Sequence, residues 1–167
     1  MQSDSSSPYI VFRLGSEEYG IRIEQVKEVT ITSVITKMPK TPVFIKGVAN
    51  IRGDIVAIMD LEERFNITPA SLPNDHKRSK NTYTLVVERD NYTIGLIVKE
   101  VPQTLSLAQS EIDKAPGFFS ETNIQQRYIE GIAKVEGRLI IILDLNKILT
   151  LQEEQMLTNE ELNEQIN

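Results

Sequence analysis

The chain has 167 residues, 40% of them hydrophobic, enough to bury the core of one domain or of two small subdomains that share an interface. It has no cysteine, no tryptophan and a single histidine, which excludes disulfides, thiolate metal sites, cysteine nucleophiles, histidine-based metal sites and histidine-dependent triads. The formal charge is −6, but five acids (Glu153, Glu154, Glu160, Glu161 and Glu164) fall in a C-terminal stretch without a base, so the rest is near neutral and offers no single-signed field to nucleic acid or anionic lipid.

In chain order, residues 1–8 are polar and carry neither a basic n-region nor an apolar h-region, and no later stretch approaches the roughly 18 apolar residues of a membrane span. A cytoplasmic location is the expectation. Residues 9–14 are rich in β-branched and aromatic side chains and lead through a turn at 15–18 into a second strand, a hairpin. A further hairpin is expected where residues 46–51 and 55–59 flank Arg52-Gly53-Asp54, with glycine supplying positive φ at the turn. Asp60 then opens a helix-like stretch, 61–65, and forms a capping box with Glu63. The polar connector 69–81 holds His76 inside the short basic cluster His76-Lys77-Arg78-Ser79-Lys80, read as a solvated loop.

Beyond the connector the order recurs. Residues 82–88, a turn at 89–91 and a second strand make the third hairpin, and Pro116-Gly117 signals a loop within 108–122. Residues 130–135 and 139–143 flank Glu136-Gly137-Arg138 as a fourth hairpin. The strand Leu139-Ile-Ile-Ile-Leu143 is apolar without alternation, so both its faces should be covered, by its own barrel and by a sister unit. Asp144 precedes a second helix-like stretch, 145–149. The acidic tail has a weak helix start in Thr158-x-x-Glu161, holds few apolar residues and is expected to fray.

The recurrence is an internal repeat. Residues 44–61 set above 128–145 without a gap give seven identities in eighteen positions, and most other pairs exchange like for like, as in Phe44 for Tyr128 and Met59 for Leu143. Upstream, residues 9–26 parallel 84–101 at an offset of 75 rather than 84, so about nine extra residues lie in the second copy, around 108–122. Four to five short strands per copy predict two small β-barrels. Within the matched block three charges reverse sign: Lys46 becomes Glu130, Arg52 becomes Glu136 and Asp54 becomes Arg138. Such reversals are either solvated drift or the mark of two faces presented to different partners.

Chemistry finds little to work with. Asp60 and Asp144 form a conceivable acid/base pair, but their identical place in the repeat favours helix capping. No phosphate-cradling glycine motif is present, and the Arg-Gly-Asp and Asn-x-Thr tripeptides are chance matches in a chain read as cytoplasmic. A small-barrel nucleic-acid binder is disfavoured by the near-neutral body.

The run Glu18 to Val29, the long signature Thr41-Pro-Val-Phe-Ile-Lys-Gly-Val-Ala-Asn-Ile-Arg-Gly53, Ile58-Met-Asp-Leu61 and Tyr128-Ile-Glu-Gly-Ile-Ala-Lys134 strongly resemble the CheW family. The match runs from about residue 9 to 149; Ala57 and Lys114 depart from its usual pattern, and the tail lies outside it. The resemblance implies a mainly β fold of two intertwined five-stranded SH3-like barrels with short helices. It implies one domain over 8–150, with subdomains at about 8–70 and 82–150, followed by an acidic tail at 151–167. It further implies no catalysis, no cofactor, and the role of an adaptor that couples chemoreceptor cytoplasmic tips to the regulatory domain of the histidine kinase CheA. The adaptor would be a monomer in isolation, cytoplasmic and recruited to membrane-associated arrays. By that analogy receptor contact falls on Ile23, Val26, Glu28, Arg52 and Val98 in the groove between the barrels, and kinase contact on Val101, Pro116 and Phe118. A coupling module of a parallel CheA-like pathway, in motility or second-messenger signalling, is the alternative.

Overall fold

The computed structural model describes residues 5–67, 82–90, 92–114 and 126–156. The connector with His76, the loop with Pro116 and Phe118, and the tail beyond 156 with Thr158 lie outside them.

Strands dominate. They are β1 (Ser6–Leu14), β2 (Glu17–Arg22), β3 (Val26–Ile31), β4 (Ile45–Ile51), β5 (Asp54–Asp60), β6 (Tyr83–Glu88), β7 (Thr93–Val98), β8 (Gln103–Ala108), β9 (Ile112–Asp113), β10 (Ile129–Val135) and β11 (Arg138–Leu143). Among the described residues, two short helices, α1 (Leu61–Arg64) and α2 (Leu151–Met156), accompany the strands together with single 3₁₀ turns. All four expected hairpins form: β1–β2, β4–β5, β6–β7 and β10–β11.

The sheets do not follow the order of the chain. One runs β8-β1-β2-β11-β10-β9 and the other β3-β6-β7-β5-β4. The hairpin β1–β2 therefore pairs with the late hairpin β10–β11, through the parallel pair β2–β11, while β6–β7 pairs back onto β5 through the parallel pair β5–β7. The two copies have exchanged their first hairpins, and this is how the units intertwine.

Each sheet closes on itself. In the first unit the chain beyond β3 returns to β4 through a bridge in which Thr36 and Val48 exchange both backbone hydrogen bonds at 2.8 Å. In the second, β8 and β9 are nearly continuous, and β9 pairs with β10 at Ile132 and Ala133. These closures need close backbone approach at the matched glycines. A Cβ on Gly47, at φ +143°, would sit 2.1 Å from the Thr36 carbonyl oxygen, and one on Gly131 would sit 3.0 Å from that of Asp113.

Burial is layered. Ala49, Ile51, Val56, Ile58, Val86 and Ile97 cluster within the first unit, and Tyr9, Val11, Leu107, Ala133, Ile140 and Ile142 within the second. A larger cluster, drawn from both sheets and including Phe12, Tyr19, Met59, Phe65, Leu85, Leu96, Ile141 and Leu143, fills the space between them. Along β11, alternate residues enter different clusters, Ile140 and Ile142 inside their own unit and Ile141 and Leu143 in the shared core. That is why 140–143 are written without polar alternation, whereas Leu139 at the start of the expected run is not covered and remains 54% exposed. At about 1.5–3 kcal/mol per buried aliphatic side chain, the shared core binds the units too strongly for them to act as loosely tethered domains.

The capping aspartates behave alike. Asp60 Oδ1 accepts from Glu62 N at 2.9 Å and Asp144 Oδ1 from Asn146 N at 3.0 Å, while the Asp60 and Asp144 amides donate to the Phe44 and Tyr128 carbonyls at 2.9 Å each. The expected box does not close at Asp60, because Glu63 reaches Lys46 instead. A reciprocal box forms at Thr150, whose Oγ1 accepts from Glu153 N at 3.1 Å while Glu153 Oε1 accepts from Thr150 N at 2.8 Å. The start of the acidic stretch is thus an ordered helix, which its low apolar content did not foretell.

Candidate protein-docking surface

The turn between β4 and β5 holds Arg52 at φ 53° and Gly53 at φ 89°, with Ile51 and Asp54 paired across it. Two successive positive φ values define a type I′ turn, the twist that suits a two-residue hairpin. Asn50 Oδ1 accepts from Gly53 N at 2.9 Å and locks the loop. The sister turn repeats the geometry with Glu136 at φ 49° and Gly137 at φ 78°. Each turn thus spends its first left-handed position on a charged L-residue, at a cost of about 1 kcal/mol that glycine would avoid. Glu136→Gly is accordingly expected to raise the urea midpoint without changing the slope, a gain of about 0.5–1 kcal/mol; an unchanged or lower midpoint would show that the glutamate side chain repays its strain.

Arg52 is 78% exposed at its side chain, and its Nε donates to Glu28 Oε2 at 2.7 Å. Glu28 lies on β3 and Arg52 beside β4, the two edges of the first sheet, so the pair spans the seam where the barrel closes beside the Thr36–Val48 bridge.

A bulge in β3 decides which way its residues face. Val26 is paired with Val87 but Glu28 with Val86, and Lys27 is the extra residue. Paired residues share a face. Val26 therefore packs toward the shared core, as does Val87, while Glu28 shares the side of Val86. After the bulge Val29 stands opposite Leu85 and Ile31 opposite Tyr83, on the shared-core side, yet they remain 43% and 57% exposed. Ile23, in the turn that leads into β3, is 36% exposed, and Val34 just beyond the strand is 87% exposed.

The repeat sharpens the meaning of this strip. β8 pairs with β1 in the register in which β3 pairs with β6: Thr104 opposite Ile10 matches Val29 opposite Leu85, and Ser106 opposite Pro8 matches Ile31 opposite Tyr83. At the same offset Gln109 stands for Val34. The apolar strip is present in one copy and replaced by Thr104, Ser106 and Gln109 in the other. A folding requirement would be written twice; a strip written once is available for a partner.

Of the residues expected on the receptor face, the structure joins Arg52 to Glu28 and sets Val26 on the opposite face of β3. Val98 is 1% exposed and belongs to the shared core, so its side chain supports a surface rather than forming one. Val29, Ile31 and Val34 escaped sequence reading, since their exposure depends on the bulge and the pairing register. On the second unit Val101 is 59% exposed. It borders a small cleft with Arg13, Glu18, Glu100 and Gln103, and Arg138 donates to both oxygens of Glu18 at 3.0 and 2.6 Å, holding that carboxyl below its ordinary pKa. Pro116 and Phe118 lie outside the described residues.

Four of the six charges at the reversed positions are met within their own unit: Lys46 pairs with Glu63, Glu130 with Arg22, Arg52 with Glu28 and Arg138 with Glu18. Both candidate catalytic aspartates are occupied as caps. Among the described residues no group of three or more His, Cys, Asp or Glu could hold a metal ion, and no helix is long and apolar enough to cross a membrane.

The family model for the CheW-like domain matches residues 8–153. The chain is 34% identical over 151 residues to the chemotaxis protein CheW of Klebsiella aerogenes, covering 90% of this chain and 86% of that protein. It is 28% identical to the chemotaxis protein CheW of Treponema pallidum, covering 94% and 90%. Among solved structures it is similar to the scaffolding protein TtCheW from Thermoanaerobacter tengcongensis, with a TM-score of 0.75 and 33% identity over 91% of this chain and 93% of that one.

Proposed function

The chain belongs to the CheW-like domain family, and from that membership we propose that it is a non-enzymatic chemotaxis adaptor, coupling the cytoplasmic tips of chemoreceptors to the histidine kinase CheA in membrane-associated arrays. It does so as a cytoplasmic single domain spanning residues 8–150, its two barrels facing different partners.

The observation that carries this reading is the strip Val29, Ile31 and Val34, present in one copy only and following Ile23 and Val26 along the chain. An amphipathic helix laid along such a surface buries its apolar stripe, with anchors recurring every three or four residues. Arg52, joined to Glu28 across the barrel seam on the other face of β3, offers its guanidinium to a carboxylate or carbonyl of a partner that reaches round this edge, in a fixed fork geometry. Kinase contact falls on the second barrel around Val101, with Pro116 and Phe118 assigned by family analogy.

Co-sedimentation of the purified full chain with a cognate kinase and with receptor cytoplasmic fragments tests the proposal. A ternary complex is expected. A chain that sediments with neither partner at concentrations saturating for a related adaptor would refute it.

A further inference from the structure

Helix α1 is only four residues long, yet it carries polar contacts that pass from one barrel to the other. Glu62, 5% exposed, accepts from the amide of Gly15 in the β1–β2 turn at 2.8 Å and pairs with Lys99. Arg64, on the opposite side of the helix, donates from Nε to the Ile148 carbonyl at 2.7 Å and from its two terminal nitrogens to Glu153 of α2 at 3.2 and 2.9 Å. Its guanidinium lies 4.3 Å from the ring centre of Phe44 and 5.6 Å from that of Tyr128.

The partners are not a random set. Phe44 and Tyr128 are matched positions of the repeat, and so are Arg64 and Ile148. Matched positions meet each other only near the axis that relates the two copies, so Arg64 sits on the seam between the barrels. Its counterpart Ile148 has no charged group to offer in return, and the clasp is single. A planar, delocalised cation suits this place: it lies against two aromatic faces while its edge donates to a carbonyl and a carboxylate.

We infer that Arg64, held by Glu153 of the C-terminal helix, is a positioning residue that fixes the relative orientation of the two barrels and thereby the shape of the docking surface where the β3 strip meets the edge of the shared core. The inference rests on the adaptor reading above for the docking surface's ligand, but not for the clasp itself. It makes α2 an active part of the adaptor, since removing the Glu153 carboxylate loosens Arg64 without touching any residue of the β3 strip.

The test uses the full chain with Arg64→Lys, which keeps the charge but not the fork, and Glu153→Gln, which keeps the shape but not the charge. Residual dipolar couplings are measured for each barrel, and affinity is measured for a receptor cytoplasmic-tip fragment and for the kinase regulatory-domain fragment. Couplings within each barrel should fit their own coordinates in both variants, which also establishes that the variants fold. The joint fit of both barrels to the wild-type arrangement should worsen, as for a shift of a few degrees across the shared core. Receptor-fragment affinity should fall about tenfold, the scale of one lost preorganising contact, while kinase-fragment affinity stays within about twofold. An unchanged joint fit in both variants would overturn the clasp, and an altered orientation with unchanged receptor-fragment affinity would overturn the positioning role. Wild-type protein that binds no receptor fragment would refute the adaptor reading instead, while the joint fit still decides the clasp.

Discussion

Gly47→Ala should unfold the protein or leave it severely weakened, with a loss of about 3 kcal/mol or more in denaturant titration. The new Cβ would lie 2.1 Å from the Thr36 carbonyl oxygen, 2.7 Å from its carbon and 3.0 Å from Ile35 Cγ2. No rotamer relieves a clash at Cβ, so the backbone has to move, and the movement removes the paired hydrogen bonds between Thr36 and Val48 that close the first barrel. The positive φ adds strain for any L-residue. Gly53→Ala is the matched control, because nothing lies within 4 Å of its Cβ and only the left-handed backbone opposes it, at a cost of about 1 kcal/mol. Equal losses at the two positions would show that the close approach to Thr36 is not what Gly47 serves.

Arg52→Glu has the second large effect, on binding rather than on folding. Receptor-fragment affinity should drop by at least about tenfold, a hot-spot arginine being worth 2 kcal/mol or more at a docking surface. Thermal stability should shift by no more than about 3 °C, since exposed ion pairs contribute about 0–1 kcal/mol and the Arg52 side chain stands mostly in water. The double variant Arg52→Glu with Glu28→Arg separates the possible roles. It restores an ion pair across the barrel seam while reversing the charge offered to a partner, so binding should remain lost. Recovery of binding in the double variant would mean that the pair acts by bracing the seam.

Much of this was legible in the sequence because it was written twice. The glycines, the hairpin turns and the capping aspartates occupy matched places, and each matched place reflects a backbone requirement that the chain has to meet in both copies. The unalternated run 140–143 of β11 likewise announced two covered faces, which Leu139 before it does not share. The exchange of first hairpins was implied only as intertwining, by the family resemblance, and not by local pattern, because strand pairing at a distance leaves no local periodicity; residue 20 facing residue 142 and residue 58 facing residue 95 are choices among partners that all read as apolar strands. Nor was the docking strip. Val26 and Glu28, two apart in a strand, are expected on one face, and only the bulge at Lys27 sets them on opposite ones and leaves Val29 and Ile31 at the edge of the shared core. Val98 failed as a surface residue for a related reason: at the end of a buried strand, hydrophobic character alone does not tell a lining position from a supporting one.

The hairpin exchange also orders events during synthesis. The first barrel has all its strands once residue 98 has left the ribosome, whereas the hairpin β1–β2, made before any of them, gains β8 only at residue 108 and the parallel partner of β2 only when β11 ends at residue 143. The earliest part of the nascent chain therefore waits longest for its full sheet, and until β11 emerges the edge of β2 that pairs with it stays open.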